Sequence, residues 1–277
     1  MTRITVLGGS GFIGSQLIEA LRQRNLEYFA PAREENLSGQ DLGTVIYCIG
    51  LTADFRTRPF DTVSAHVCRL LEIIRDCQFQ SFIYLSTTRL YSQAAEIARE
   101  EDSIIVRPLD TGDLYNISKA MGESLALTAT TKSTIVRLSN VYGPEFNSTN
   151  FLSSIIRAAL NENKITLTTA LDSEKDYVDV RSVVEVLVAM ALRGCDQRIY
   201  NLASGANCAN REVANKLAQL THCEVEVKPG SPRIRYPRID ISRLNKEFDF
   251  NPGNVLDDME GLVNFHRSVT GSLNDLN

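Results

Sequence analysis

The sequence has no Cys-x-x-Cys pair and no run of histidines to partner its six cysteines, so metal clusters of that spacing are excluded and no metal site is expected. Cysteines 48, 68, 77, 195, 208 and 223 are scattered in the manner of small core residues, which suits a reducing compartment, and the cytoplasm is the expected location. Basic residues are not in surplus: 29 lysines and arginines against 34 acids leave a net charge of −5. A general binder of nucleic acid needs a basic surface for the phosphates, so that class is not expected. No apolar run is long enough to cross a bilayer. The longest helix-like one, "VVEVLVAMAL", falls far short of the roughly 20 residues needed and contains Glu185. The opening "MTRITVLGG" has an apolar run of only a strand's length, followed by glycines where a cleavage site would stand, which argues against a secretory signal. Internal repeats and low-complexity linkers are also missing.

What is present is an ordinary globular balance, 43% hydrophobic and 23% charged over 277 residues, enough for one large or two modest domains. The first half alternates short apolar runs with helical patterns: "RITVLGG", "SQLIEALRQRN", "EYFAPA", "TVIYCIG", "CRLLEIIRDC", "SFIYLSTT", then the helix around Tyr115 and the strand "TIVRLSN". Strand and helix in strict alternation predict an α/β fold with a doubly wound parallel sheet, and continuous apolar strands fit a sheet covered on both faces. Past residue 142 the rhythm breaks. "VYGPEFNSTN" reads as a loop, "FLSSIIRAALNEN" as a helix and "DSEKDYVDV" as irregular; "RIYNLASG" reads as a returning strand, "NREVANKLAQLTH" as a helix, and "KPGSPRIRYPRID" as a loop with contacts to make. The expected division is a Rossmann domain from residues 1–142 and 176–203, with a smaller discontinuous substrate lobe from 143–175 and 204–277.

"VLGGSGFIGSQL" is a strand that runs into Gly8, Gly11 and Gly14 and then a helix. Those glycines allow a tight turn, close approach of a pyrophosphate and tight helix–strand contact, and the helix N-terminus offers amide donors and a positive dipole. Dinucleotide binding is the expected role. "DLYNISKAMGE" places Tyr115 four residues before Lys119, on one face of a helix, where a phenol and an ammonium share a site.

In their order and spacing these stretches resemble the extended branch of the short-chain dehydrogenase/reductase superfamily, the NAD(P)-dependent nucleotide-sugar epimerases and dehydratases. The resemblance runs through nearly the whole chain. Gly8, Gly11 and Gly14 match its GxxGxxG, "LSTTRLY" its serine/threonine motif, Tyr115 and Lys119 its YxxxK, "RLSNVYGP" its phosphate-contacting asparagine segment, and "KDYVDVRSVV" and "RIDISRL" its later signatures. The resemblance implies hydride transfer at a ring carbon, C4 by expectation, of a nucleotide-diphosphate sugar, by a homodimer. It makes Tyr115 the acid/base, Lys119 the residue that favours the phenolate and holds the nicotinamide ribose, and Thr87 the hydroxyl donor to the reacting oxygen. The cofactor set it implies is Gly8, Gly11, Phe12, Ile13, Gly14, Arg33, Gly50, Tyr115 and Lys119; the substrate set is Thr87, Asn140, Arg233 and Arg235. A free tyrosine has a pKa of about 10, and making it a base near neutrality asks for roughly 4 kcal/mol of differential stabilisation, which nearby positive charge supplies.

Departures from the family pattern narrow the reaction. The 4,6-dehydratases follow the equivalent of Thr87 with an Asp-Glu pair that eliminates water; here stand Thr88 and Arg89, and Arg89 also replaces the cysteine of GDP-fucose synthase. The end of the second strand carries Ala32 and Arg33 in place of the aspartate that binds the NAD ribose, with Glu34 and Glu35 beside them, so the 2′-phosphate of NADP is the expected ligand of Arg33. The third strand and its helix are nearly absent between Asn36 and Val45, which opens the adenine pocket. Val63 and His66 replace an asparagine and a glycine, with His66 expected to be packed rather than catalytic, and Lys175 replaces the arginine before the DY motif. Arg233, Arg235 and Arg238 are the candidates for a diphosphate. The resulting expectation is a 4-ketoreductase; the alternatives are a 4-epimerase with tightly bound NAD and a dinucleotide-sensing protein without turnover, against which the retained Tyr115 and Lys119 speak.

Overall fold

Apolar runs with no polar face form the centre of the molecule. In the computed structural model, which describes residues 3–51, 54–92 and 96–274, strands β1 (Ile4–Leu7) and β3 (Thr44–Tyr47) are buried at every position. With β2 (Tyr28–Phe29), β4 (Ser81–Thr87), β6 (Ser133–Leu138) and β10 (Ile199–Leu202) they build a six-stranded sheet in the order β10-β6-β4-β3-β1-β2, parallel throughout. Parallel pairing demands crossovers, and the crossover helices cover both faces. Helices α1 (Phe12–Gln23), α6 (Val180–Arg193) and α8 (Ser242–Phe248) bury one face with Leu17, Leu21, Val183, Leu187 and Leu244. On the other face α3 (Arg69–Asp76) and α4 (Leu114–Ala129) contribute Leu70, Ile73 and Ala126 against Tyr47, Phe82 and Tyr84. A short helix α2 (Pro59–Val63) reaches α3 through a π turn, Ser64–Cys68. The doubly wound sheet expected from the alternation is therefore present. β2 is a two-residue edge strand, and the connection from it to β3 is loop apart from a bridge at Asp41, with Leu37 and Leu42 plugged into the core, as the missing third unit predicted.

The remaining elements gather at the carboxyl end of the sheet. β7 (Asn140–Tyr142) pairs parallel with β9 (Glu174–Asp179), which pairs antiparallel with β11 (Asn207–Ala209); β8 (Lys164–Leu167) pairs with β12 (Glu224–Val227). Helices α5 (Phe151–Asn161), α7 (Asn210–Thr221) and α9 (Val255–Asn274) enclose a second core that includes Leu152, Ile156, Leu217 and Met259. A last pair, β5 (Ile97–Ala98) with β13 (Arg238–Ile239), closes against Tyr91 and Ala203. The segment read as irregular, "DSEKDYVDV", is strand β9. Its carboxylates hid it: Asp176 is buried and accepts from the backbone amides of Ser204 and Gly205, and Asp179 caps α6 by accepting from Ser182 N at 2.9 Å. Both carboxylates find backbone donors, which makes a charged strand tolerable inside. Among the described residues no helix is long and apolar enough to cross a membrane.

One buried ion pair joins the parts. Arg137 of β6 and Glu123 of α4 are 3% and 4% exposed and meet at 2.7 Å. Arg137 also donates to the Tyr91 hydroxyl at 2.6 Å and to the Glu100 carbonyl at 3.2 Å, and Tyr91 donates to Asn201 Oδ1 at 2.8 Å. Removing one charge of such a pair strands the other in low dielectric. Arg137→Met is therefore expected to lower stability by about 3–5 kcal/mol, while the double variant with Glu123→Leu recovers much of the loss. Urea unfolding of the three proteins checks this; a single variant within about 1 kcal/mol of wild type would show that water reaches the pair.

Candidate active site

Strand β1 ends where Gly8, with φ +87°, takes a backbone that a side chain would strain. A Cβ on Gly14 would stand 2.2 Å from the Gly8 carbonyl oxygen, so α1 approaches the turn only because no side chain intervenes. Gly11 is the N-cap of α1 and provides no side-chain cap, which leaves the first amides of the helix directed at whatever sits above the turn. Such a cradle fits a pyrophosphate. Above it lies a cleft of about 1530 Å³ at the carboxyl ends of β1, β3, β4 and β6, lined by Gly8, Gly11, Phe12, Ile13, Gly50 and, toward the far end, Arg33 and Glu34. Arg33 is 81% exposed and lies 3.8 Å from Glu34, so its guanidinium is free to turn toward a ligand at the edge strand.

The same cleft holds Thr87, Tyr115 and Lys119. The buried stripe of α4, Tyr115, Ser118, Lys119, Gly122, Glu123 and Ala126, follows the 3.6-residue period with polar groups in place of leucines. Gly122 allows the approach to β4, since a Cβ there would sit 2.3 Å from the Tyr84 hydroxyl oxygen. Tyr115 is thereby set beside Thr87, the last residue of β4, whose hydroxyl acts on its phenol. Lys119, one turn on, donates to the Leu85 carbonyl at 2.8 Å and stands 5.0 Å from the Tyr84 ring centre. Gly50 brings backbone against it: a Cβ there would lie 3.3 Å from both Lys119 Nζ and His66 Nε2.

Burial governs the ionisation of these groups. It takes the Lys119 ammonium down to about 8, partly offset by Glu123 and Cys48. It raises the Tyr115 phenol, against which the Thr87 hydrogen bond and the charge of Arg89 act in the lowering direction. The guanidinium of Arg89 stands 5.6 Å from the Tyr115 ring centre, on the same site as Lys119, the cation expected from the sequence. His66 is fully buried and held near 2 by burial and by Lys119, hence neutral. It accepts from the Leu51 amide at Nε2 and so donates from Nδ1 to Ser118 Oγ at 2.8 Å, packing edge-on to Tyr115.

Asn140 lines the cleft at the start of β7 and donates to the Asp176 carbonyl at 2.8 Å. Gly14 lies beneath the turn. Arg233 and Arg235 are not brought to the cleft: they meet Asp172 at 2.8 Å and Glu174 at 3.8 Å, and their segment lines the cavity through Tyr236 and Pro237. Four cations that sequence reasoning did not assign to the site line it: Arg58 and Arg69 pair with carboxylates, whereas Arg89 and Lys175 have no carboxylate partner among the described residues. Lys175 rests on the Phe151 ring at 4.5 Å, its ammonium lowered by burial and by Arg89. Its place directly before Asp176-Tyr177 was the available signal.

The arrangement holds a hydroxyl donor, an ionisable phenol and fixed cations at the end of a dinucleotide cradle, as hydride chemistry at an alcohol or ketone requires. Comparisons with known proteins agree. The model of the NAD dependent epimerase/dehydratase family matches residues 32–203, more than half of the chain. The chain is 27% identical over 193 residues to a dTDP-glucose 4,6-dehydratase of Streptomyces griseus, a match that takes in 66% of this chain and 56% of that protein. It is 26% identical over 262 residues to a GDP-6-deoxy-D-mannose reductase of Pseudomonas aeruginosa, covering 84% of each. Its fold is that of the solved structure of RMD from Pseudomonas aeruginosa complexed with NADPH, with TM-score 0.80 at 22% identity over 97% of this chain and 100% of the other. Cradle, phenol–lysine pair and family match together make this chain a member of the NAD-dependent epimerase/dehydratase family, NAD(P)-dependent nucleotide-sugar enzymes of the extended short-chain dehydrogenase/reductase type.

Proposed function

We propose that the protein is an NADP-dependent 4-ketoreductase of a nucleotide-diphosphate sugar. The observation that carries this reading is the corner after β4, where Thr87 and Tyr115 share the cleft and the next two positions are Thr88 and Arg89, with no carboxylate there to remove or return water. The reduced dinucleotide, when bound, supplies the hydride. As the carbonyl carbon accepts it, Tyr115 gives its proton to the carbonyl oxygen and Thr87 donates a hydrogen bond to the same atom, so a ketone becomes a secondary alcohol. Lys119 keeps the nicotinamide ribose and the Leu85 backbone in register. Arg33 reads the 2′-phosphate, and Lys175, facing the cleft where Arg233 and Arg235 do not, takes the sugar diphosphate. In this reading residues 143–175 and 204–277 form the substrate lobe.

A 4-epimerase that retains NAD is the second reading, favoured by the contact between Arg33 and Glu34, which draws the guanidinium toward a carboxylate. Nucleotide-diphosphate sugars and their 4-keto forms, screened by absorbance of the reduced cofactor, distinguish the two. Purified protein that carries stoichiometric NAD and interconverts two sugars without added cofactor overturns the reductase reading.

With the substrate found, Tyr115→Phe is expected to keep dinucleotide affinity while single-turnover hydride transfer falls by about 10²-fold or more. Thr87→Val, which loses one hydrogen bond, falls between that variant and wild type, and Lys119→Met loses both cofactor affinity and rate. Wild-type turnover in Tyr115→Phe would remove the phenol from the reaction.

Arg33→Ala is expected to weaken NADP by about tenfold or more, the scale of one charge-assisted contact, and NAD by far less. Equal losses measured by fluorescence titration would assign Arg33 to solvent.

Lys119 carries its charge at a cost to the fold. An amine at about 8 when folded, against an ordinary 10.5, destabilises fully below pH 8, and the penalty fades as pH rises toward 10.5. Wild type should therefore gain about 2–3 kcal/mol on Lys119→Met across that window. Urea melts at several pH values read the difference, and a flat one would mean the ammonium is solvated.

A further inference from the structure

We propose that His66 is a positioning residue of this site: its imidazole, as the Nδ1–H tautomer, ties the Gly50–Leu51 backbone to the Tyr115–Lys119 turn of α4 and so sets the seat of the nicotinamide half of the dinucleotide. The proposal rests on the reading of the cleft as a dinucleotide site and leaves the roles of Tyr115 and Lys119 as they are.

Between α2 and α3 the chain passes through the π turn Ser64–Cys68, whose wider ring carries His66 into the molecule, where it is fully buried. Two phenols of the sheet hold the turn. Tyr47 of β3 donates to the Ala65 carbonyl at 2.6 Å, and Tyr84 of β4 to the His66 carbonyl at 3.2 Å. Both nitrogens of the ring are then used. Nε2 accepts from the Leu51 amide at 3.2 Å, which puts the proton on Nδ1, and Nδ1 donates to Ser118 Oγ at 2.8 Å. Ser118 Oγ in turn donates to the Tyr115 carbonyl at 3.0 Å. Donors and acceptors thus run in one direction, from the loop after β3 to the turn of α4 that bears the phenol and the ammonium. The other tautomer would set two N–H groups, Nε2–H and that of Leu51, against each other.

Gly50, Leu51, Tyr115 and Lys119 line the cleft, and His66 stands behind them, so its effect on a ligand passes through its partners. A Cβ on Gly50 would lie 3.3 Å from both His66 Nε2 and Lys119 Nζ, which shows the loop backbone fitted between imidazole and ammonium. The ring also stands edge-on to Tyr115, with centroids 5.3 Å apart. At its other end the same loop abuts the glycine turn, where a Cβ on Gly8 would lie 2.9 Å from Ile49 N. Residues 49–51 therefore run from the pyrophosphate cradle to Lys119, along the path the second half of a dinucleotide takes. An imidazolium would turn an N–H toward the Leu51 amide beside the Lys119 charge, so the link works only as the neutral ring. An apolar residue of the same volume would fill the space but leave the Leu51 amide without its acceptor, which removes the tie between loop and helix.

The test needs no sugar. Calorimetric affinity for NADPH or NADH is compared with that for adenosine 2′,5′-bisphosphate or ADP, which lack the nicotinamide half, in wild type, His66→Leu and His66→Gln. His66→Leu is expected to weaken the dinucleotide by about tenfold, the scale of one lost hydrogen bond, and to leave the nicotinamide-free ligand at its wild-type affinity. His66→Gln, with an amide oxygen for Leu51 and an amide N–H for Ser118, recovers most of the loss. Long-range proton–nitrogen NMR of the wild-type imidazole shows the Nδ1–H tautomer. Equal losses for both ligands, no loss for either, a His66→Gln protein as weak as His66→Leu, or an Nε2–H tautomer overturns the proposal. Should His66→Leu fail to fold, Ser118→Ala, which takes the acceptor from Nδ1–H, reads the same comparison: a loss confined to the dinucleotide supports the tie, and an unselective loss or none overturns it. A selective loss together with an inactive sugar screen would leave this inference standing and remove the reductase reading instead.

Discussion

The site depends on a pair of opposite charges taken out of water. Arg137 and Glu123 meet between β6 and α4, and the remaining donors of the guanidinium go to the Tyr91 hydroxyl and the Glu100 carbonyl. A buried pair adds little net stability over an apolar substitute, but its directional bonds admit one arrangement of helix, strand and turn. That arrangement matters here because the turn, Thr88–Tyr91, follows Thr87, and the helix carries Tyr115 and Lys119. Hydrophobic contact alone would let α4 slide along the sheet by fractions of an ångström, and proton transfer is intolerant of such errors.

Electrostatic design at the site follows from the same economy of water. Burial lowers Lys119 and raises Tyr115, both toward their neutral forms, so the enclosure that orients them keeps a proton on the phenol while it opposes the charge of the ammonium. An arginine keeps its charge under the same conditions, and the guanidinium of Arg89 lies 5.6 Å from the centre of the phenol ring.

The sequence made the sheet and its glycine turn legible because both rest on local rules: continuous apolar strands, and glycines where a Cβ would collide with the Gly8 carbonyl. Tyr115 and Lys119 were legible through their spacing. What stayed hidden has a different cause, long-range pairing. Strand β9 looked irregular because "EKDYVD" is charged, and the amides of Ser204 and Gly205, distant in sequence, explain how Asp176 sits inside. Arg233 and Arg235, read as phosphate ligands by type, lie near Asp172 and Glu174, and no local pattern announces those neighbours. Arg89 was seen as a departure from a motif, but its stacking on Tyr115 depends on Phe55 and Gly112, both distant in sequence.

Strand β9 has a mechanical meaning as well. Its neighbouring residues Tyr177 and Val178 belong to different cores, Tyr177 to the one enclosed by α5, α7 and α9 and Val178 to the one under the large sheet. Two cores that share consecutive residues of one strand cannot rotate against each other without tearing side chains from close-packed surroundings. Hinge closure, the usual way a two-lobed enzyme grips its ligand, is blocked at this seam. The cleft takes lining residues from both cores, Leu138 from one and Leu152 and Tyr177 from the other, so its walls act as a rigid gauge for ligand size.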